Sequence, residues 1–317
     1  MIRLRLALAV NALLMVLLIA SIGHAASAGH PLPSGLDVSF EGKERKFGAR
    51  KIPGALFLPP AHTGRVPLII SQHGSTRDGM SFADGQGKTD EYSTRIVHAG
   101  TQAGFAVAVL DAFAGTGLRP NNKRKFPDAA RYAVQLHEAL RQHPRIDSDN
   151  VFYTGFSYGA AQVLKQQGAR WAPVASPWRA LAAAEPGCNV VSLPASVPYA
   201  TLIIKGGESH YGPAPCEYYR DMIATAGNQV EYWLLPGANH FFSANGEIVD
   251  GVAVNGCADN PVIRYPDGRR KFADGTVATR ELFVSRCITR QGGKGKSREY
   301  LDEVVRGVIA FFERQRR

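Results

Sequence analysis

From residue 65 onward the chain alternates short, almost wholly apolar runs with longer helix-compatible stretches. The apolar runs are Val66-Pro67-Leu68-Ile69-Ile70-Ser71, Phe105 to Leu110, Val151 to Tyr153, Ala180 to Ala184, Ala200 to Ile204 and Val230 to Leu235. A strand covered on both faces reads as such a run, without the polar alternation of a half-exposed strand. Glu91 to Ala103, closed by Gly104, and the amphipathic stretch from Pro127-Asp128-Ala129-Ala130 to His143 are the helices between them. Residues 298–315 space Leu301, Val304, Val305, Val308, Ile309 and Phe312 as one helical stripe, a core face. Upstream, Asp37 to Phe47 and Gly54 to Leu58 read as opening strands, with Glu41-Gly42-Lys43 as a turn. The alternation predicts an α/β fold: a mostly parallel, doubly wound sheet of about eight strands with helices on both faces.

Two stretches break the pattern. Residues 1–28 place Arg3 and Arg5 before the apolar run Leu6 to Ile22 and end in small residues, the layout of a secretory signal peptide. Cleavage after Ala25 or after Ala28 fits equally. The run approaches spanning length, so an uncleaved anchor is the competing reading. The expectation is one domain over 29–317, periplasmic or secreted, with no membrane span after cleavage. The second break is residues 243–297. Polar turns (Asn245-Gly246, Asp267-Gly268, Asp274-Gly275) surround brief extended pieces such as Val262-Ile263-Arg264-Tyr265. A loop this long inside a compact domain is functional or stapled. It is expected to border the active-site mouth and to present Arg264, Arg269, Arg270 and Lys271 as a positive face.

Cysteine number and charge narrow the picture. Cys188, Cys216, Cys257 and Cys287 are an even set in an exported chain, which predicts disulfides among three possible pairings. Cys257 and Cys287 both lie in the 243–297 insertion and are its expected staple. No C-x-x-C spacing points to zinc. The net charge of +10 comes with no nucleic-acid motif, so a solvated basic surface with mild affinity for anionic polymers is expected rather than a nucleic-acid partner.

The candidate chemistry begins at Gly155-Phe156-Ser157-Tyr158-Gly159. In a chain with 33 glycines the G-x-S-x-G string alone carries little weight. Its setting carries more: the apolar run Val151-Phe152-Tyr153 precedes it and helix-compatible Ala160 to Leu164 follows, the strand–turn–helix that a nucleophile elbow needs. A serine hydroxyl is a weak nucleophile until a base takes its proton and an acid orients that base. His240 lies in the loop after the last strand, where chain order nucleophile, acid, histidine would put the base, and is favoured over His210. Glu208, after the strand at 201–204, is the preferred acid. Glu185, one strand earlier, is the alternative. The backbone amides of Tyr158 and of Ser75, in the Gln72-His73-Gly74-Ser75 turn, are the expected oxyanion donors. Asp111 reads as a turn-former.

From Pro67 to His240 the chain resembles dienelactone hydrolases of the α/β-hydrolase superfamily, in particular exported relatives with a serine nucleophile. The resemblance rests on His73-Gly74, Leu110-Asp111-Ala112-Phe113 with Gly115-Thr116-Gly117, Asp128-Ala129-Ala130, and Ile146-Asp147-Ser148 with Asn150. Pro186-Gly187-Cys188, Ala214-Pro215-Cys216 and Pro236-Gly237-Ala238-Asn239-His240 complete it. It implies an α/β-hydrolase fold, no metal or organic cofactor, and a Cys188–Cys216 bridge between adjacent strand-end loops. The chain departs from the family in carrying Ser157 where the dienelactone-cleaving members carry cysteine. It also places a glutamate where their acid is usually aspartate, and it contains the insertion. The expected activity is hydrolysis of a small-molecule or polymer carboxylic ester through Ser157, His240 and Glu208. The competing readings are a serine peptidase of prolyl-oligopeptidase type and a catalytically idle envelope protein that binds polymer.

Overall fold

A computed structural model of the protein describes residues 34–83, 85–169, 177–242, 253–293 and 297–317. The segment read as a signal peptide and the Asn245-Gly246 turn lie outside the described residues. The chain enters through β1 (Leu36–Asp37), forms the hairpin β2 (Phe40–Glu44) and β3 (Gly48–Ile52), and continues as β4 (Gly54–Phe57). Strands and helices then alternate: β5 (Val66–Gln72), α1 (Glu91–Gln102), β6 (Ala106–Leu110), α2 (Ala129–Leu140), β7 (Ile146–Phe156) and α3 (Tyr158–Lys165). After them come β8 (Trp178–Ala184), the short β9 (Val190–Ser192), β10 (Ala200–Gly206), α4 (Ala214–Thr225) and β11 (Val230–Leu235).

Eight of these strands form one sheet in the order β1-β4-β6-β5-β7-β8-β10-β11. From β6 to β11 all neighbours are parallel, and β1 and β4 are antiparallel at one edge. This is the mostly parallel α/β sheet that the alternation predicted, in the α/β-hydrolase form that the resemblance implied. Every residue of β5, β6 and β10 is buried, which is why these strands read as unbroken apolar runs. On one face the carboxy-terminal helix α6 (Leu301–Gln315) buries the stripe Leu301, Val304, Val305, Val308, Ile309 and Phe312. Its Phe312 ring lies 4.9 Å from Phe152 of β7. No helix among the described residues is long and apolar enough to cross a membrane.

One local expectation fails. The first hairpin turns at residues 45–47, not at Glu41-Gly42-Lys43. Gly42 sits inside β2 instead, where a Cβ would come within 2.3 Å of the Ile52 side chain. It is a packing glycine. The turn is closed by Gly48 at φ +67.

The described part of the insertion is built from β12 (Ala253–Val254), β13 (Val262–Arg264), β14 (Arg270–Phe272), α5 (Arg280–Cys287) and β15 (Ile288–Thr289). The Asp267-Gly268 and Asp274-Gly275 turns place their glycines at φ +89 and +88. Strand β13 pairs antiparallel with β14 and parallel with β9, which attaches the insertion to the main domain. Cys257, Val262, Phe272, Ala278 and Cys287 form a small core of its own. The disulfides are Cys257–Cys287, within the insertion, and Cys188–Cys216, between the segment after β8 and α4. With so small a core, the staple carries much of the insertion's order. Closing 30 residues of chain is worth about 3–4 kcal/mol on the chain-entropy account. Replacing Cys257 and Cys287 together by serine should lower the thermal unfolding midpoint, measured by calorimetry. An unchanged midpoint would show that β-pairing to β9 holds the segment without the bridge.

Candidate active site

Ser157 ends β7 and precedes α3, with φ 52 and ψ −107. This left-handed backbone is costly for a non-glycine residue and persists where its surroundings over-determine it. Here they do. A Cβ on Gly159 would stand 2.1 Å from the carbonyl oxygen of Gln72, and one on Gly155 would stand 2.6 Å from the carbonyl carbon of Gly159. The two glycines of the elbow let strand, turn and helix pass this closely. The Ser157 N–H donates to Ala184 O on β8 at 2.9 Å, locking the elbow to the next strand.

His240 arrives from the loop after β11 and is buried. The Ser157 hydroxyl meets its Nε2 at 3.0 Å, and its Nδ1 meets Glu185 Oε1 at 3.2 Å. An ionised carboxylate can only accept, so Nδ1 carries the proton and Nε2 is left to receive the one on Ser157. His210, the competing base, lies edge-on to the His240 ring with centroids 5.0 Å apart. Burial, with the neighbouring His240, pulls its pKa down to about 3.

The acid is the principal correction. Glu208 is exposed; its backbone N–H donates to Ala238 O at 3.0 Å, and among the described residues no hydrogen bond joins its carboxylate to His240. Glu185, at the end of β8, occupies that place. Strand β10, from which the acid was expected, instead directs Lys205 inward. The Lys205 ammonium pairs with Glu185 Oε1 and donates to Pro186 O at 3.1 Å and Ser209 Oγ at 3.0 Å. The Gly206 N–H donates to Glu185 Oε2 at 2.6 Å. Burial alone would raise the pKa of Glu185, but Lys205 and His240 outweigh it and hold the carboxyl down at about 2. Glu185 too is left-handed, φ +57, and its N–H donates to Ile204 O at 2.8 Å. Sequence reasoning did not find Lys205. The available signal was a single cation closing the apolar run Leu202-Ile203-Ile204.

Ser75 and Tyr158, whose amides are the expected oxyanion donors, both line the cavity over Ser157. Tyr158 is the first residue of α3, so its N–H has no intrahelical acceptor. Ser75 lines the same cavity, in a turn fixed by Asp90, whose Oδ2 accepts the Gly74 N–H at 2.5 Å, and by Ala112 N–H donating to His73 Nε2 at 3.0 Å. Asp111 accepts the Phe113 N–H at 2.9 Å and pairs with Arg77 at 2.7 Å, consistent with a turn-former. The cavity over Ser157 and His240 measures about 550 Å³, and its far wall comes from the insertion: Val254, Arg264, Arg270, Arg280, Phe283 and Ile288 among others.

Fold and geometry define an α/β-hydrolase scaffold carrying a serine–histidine–carboxylate chain beneath a cavity. Among solved structures, a dienelactone hydrolase-like promiscuous phosphotriesterase from metagenomic libraries is similar over 88% of this chain and 98% of its own, at 12% identity and TM-score 0.53. The protein designated dienelactone hydrolase of Klebsiella pneumoniae matches over 65% of this chain and 88% of its own, at 16% identity and TM-score 0.46. An acylaminoacyl peptidase of Pyrococcus horikoshii matches over 66% of this chain and 38% of its own, at 13% identity and TM-score 0.46. No protein-family model matches the sequence, and no curated protein matches it.

The placement of the acid is directly testable. Glu185→Gln keeps the shape but removes the charge that selects the histidine tautomer, and should slow covalent labelling of Ser157 by a fluorophosphonate by about a thousandfold or more. Glu208→Gln should leave the labelling rate within about twofold, as for a solvent-facing side chain. The reverse ranking would return the acid to β10.

Proposed function

We propose that the protein is an exported serine hydrolase that cleaves carboxylic esters through Ser157, His240 and Glu185. The observation that carries this reading is the unbroken chain from Ser157 Oγ to His240 Nε2 at 3.0 Å and from His240 Nδ1 to Glu185 at 3.2 Å, opening on one cavity. His240 takes the hydroxyl proton as Ser157 attacks the ester carbonyl. The amides of Tyr158 and Ser75 receive the negative charge that develops on the carbonyl oxygen. His240 returns the proton to the leaving alcohol, and water, deprotonated by the same histidine, releases the acyl group. Export is supported by the charged, apolar and small-residue layout of residues 1–28 and by two disulfides with no free cysteine among the described residues, chemistry suited to an oxidising compartment.

Hydrolysis of nitrophenyl esters of increasing chain length is the test. Ser157→Ala should reduce turnover to about a thousandth of wild type or less, and a larger residue would point to another nucleophile. A protein that binds polymer on an idle scaffold would neither turn over the esters nor react with a fluorophosphonate. A peptidase would also cleave the amide analogue of the same acyl group at a measurable rate, whereas an esterase would act on the ester alone.

The pH profile gives a second check. His240 must be neutral to act as base, and burial lowers its pKa from 6.5. The acid limb of kcat/KM should therefore have its midpoint below 6.5, activity falling as the imidazole protonates. A midpoint above 6.5 would mean that Glu185 stabilises the imidazolium by more than burial destabilises it.

A further inference from the structure

We propose that the insertion and the first hairpin build an oxyanion-binding site beside Ser157, so that the preferred substrates are esters bearing a carboxylate, phosphate or sulfate remote from the scissile bond. This rests on the esterase reading and names its substrate class. Arg264 and Arg270 are direct partners across the β13–β14 ladder, where like charges opposite each other destabilise pairing. Both line the cavity that holds Ser157 and His240, together with Arg280 of α5. Both also line an adjoining cavity of about 420 Å³, with Arg45 of the hairpin and Lys165 of α3.

Among the described residues, the two carboxylates beside this group, Asp128 and Glu44, are already engaged, and of the arginines here the charge of Asp128 is felt by Arg264. Asp128, the carboxylate in the adjoining cavity, is taken by Lys165 at 2.9 Å. Glu44 accepts the backbone N–H of Phe47 and, at 3.2 Å, that of Asp128. Among the described residues Arg45, Arg264, Arg270 and Arg280 make no side-chain hydrogen bond and no ion pair. Other arginines of this chain are matched: Arg77 with Asp111, Arg314 with Glu231, and Arg269, next to Arg270, with Asp267. Guanidinium groups that outnumber the carboxylates beside them repel one another, and a bound anion relieves that repulsion. Their planar forks suit the paired oxygens of a carboxylate, phosphate or sulfate. Placed between this group and Ser157, a substrate is held by its charge while its ester reaches the nucleophile.

The test compares 4-nitrophenyl hexanoate with mono-4-nitrophenyl adipate, which differ in the terminal carboxylate, and with nitrophenyl esters of 6-phosphooxyhexanoic and 6-sulfooxyhexanoic acid to separate the anions. At low ionic strength kcat/KM for at least one anionic ester should exceed that of the hexanoate by roughly tenfold. The ratio should fall toward one as salt screens the site, and Arg264→Gln with Arg270→Gln should also bring it near one. A ratio at or below one for all three anionic esters, or one that the paired substitution leaves intact, overturns the proposal. If the paired variant does not fold, the salt dependence of the wild-type ratio decides. Calorimetric binding of monomethyl adipate against methyl hexanoate to Ser157→Ala reads the anion preference without turnover. Tighter binding of the acid by a protein that hydrolyses neither ester keeps the anion site and discards the esterase reading, whereas equal binding discards the anion site.

Discussion

A carboxylate wholly removed from solvent organises this site. Glu185 and Lys205 are both fully buried, and two charges taken out of water are tolerated only in close, well-bonded pairs. Removing one partner of such a pair costs about 3–5 kcal/mol. The Gly206 N–H satisfies Glu185 Oε2, while Oε1 is shared between the Lys205 ammonium and His240 Nδ1. The pairing is possible because β7, β8 and β10 are adjacent parallel strands whose carboxyl ends are level. Ala184 is the register partner of both Phe156 and Ile204. Serine, acid and cation are each the next residue or so along neighbouring strands. Two left-handed residues, Ser157 and Glu185, mark where the backbone is bent to present them.

The surroundings hold this line of residues rigid. The Cys188–Cys216 bridge anchors the segment just after Glu185 to α4. Gly206 and Gly207 let the His240 loop lie against the end of β10, since a Cβ on either would come within 2.6 Å of that loop's backbone. Tyr211 packs edge-on to His240 at 4.9 Å. Above them, pairing of β13 with β9 sets the insertion across the opening. The same segment supplies the arginines of the cavity wall.

Much of this was legible in the sequence, and the exceptions have physical reasons. The elbow declares itself because only glycine fits at positions 155 and 159, and His240 because it follows the last strand. The pairing of Cys257 with Cys287 follows from their confinement to one insertion. The acid was not legible. Strand order says which loop ends near the histidine, but Glu185 and Glu208 both lie just past strands that end beside the elbow. The choice turns on which side chain points inward, and that depends on the left-handed turn at Glu185 and on Lys205 claiming the end of β10. The hairpin turn at 45–47 was missed for a related reason: Gly42 is required by contact with Ile52 and Tyr132, and a packing glycine cannot be told from a turn glycine by local sequence.

The central claim is that the Nδ1 proton of His240 is held by Glu185. Proton NMR of the resting protein, with histidine ring nitrogens isotopically labelled, measures it. The account predicts a low-field resonance bonded to His240 Nδ1 that Glu208→Gln retains and Glu185→Gln loses. A resonance that survives Glu185→Gln and vanishes in Glu208→Gln would contradict it.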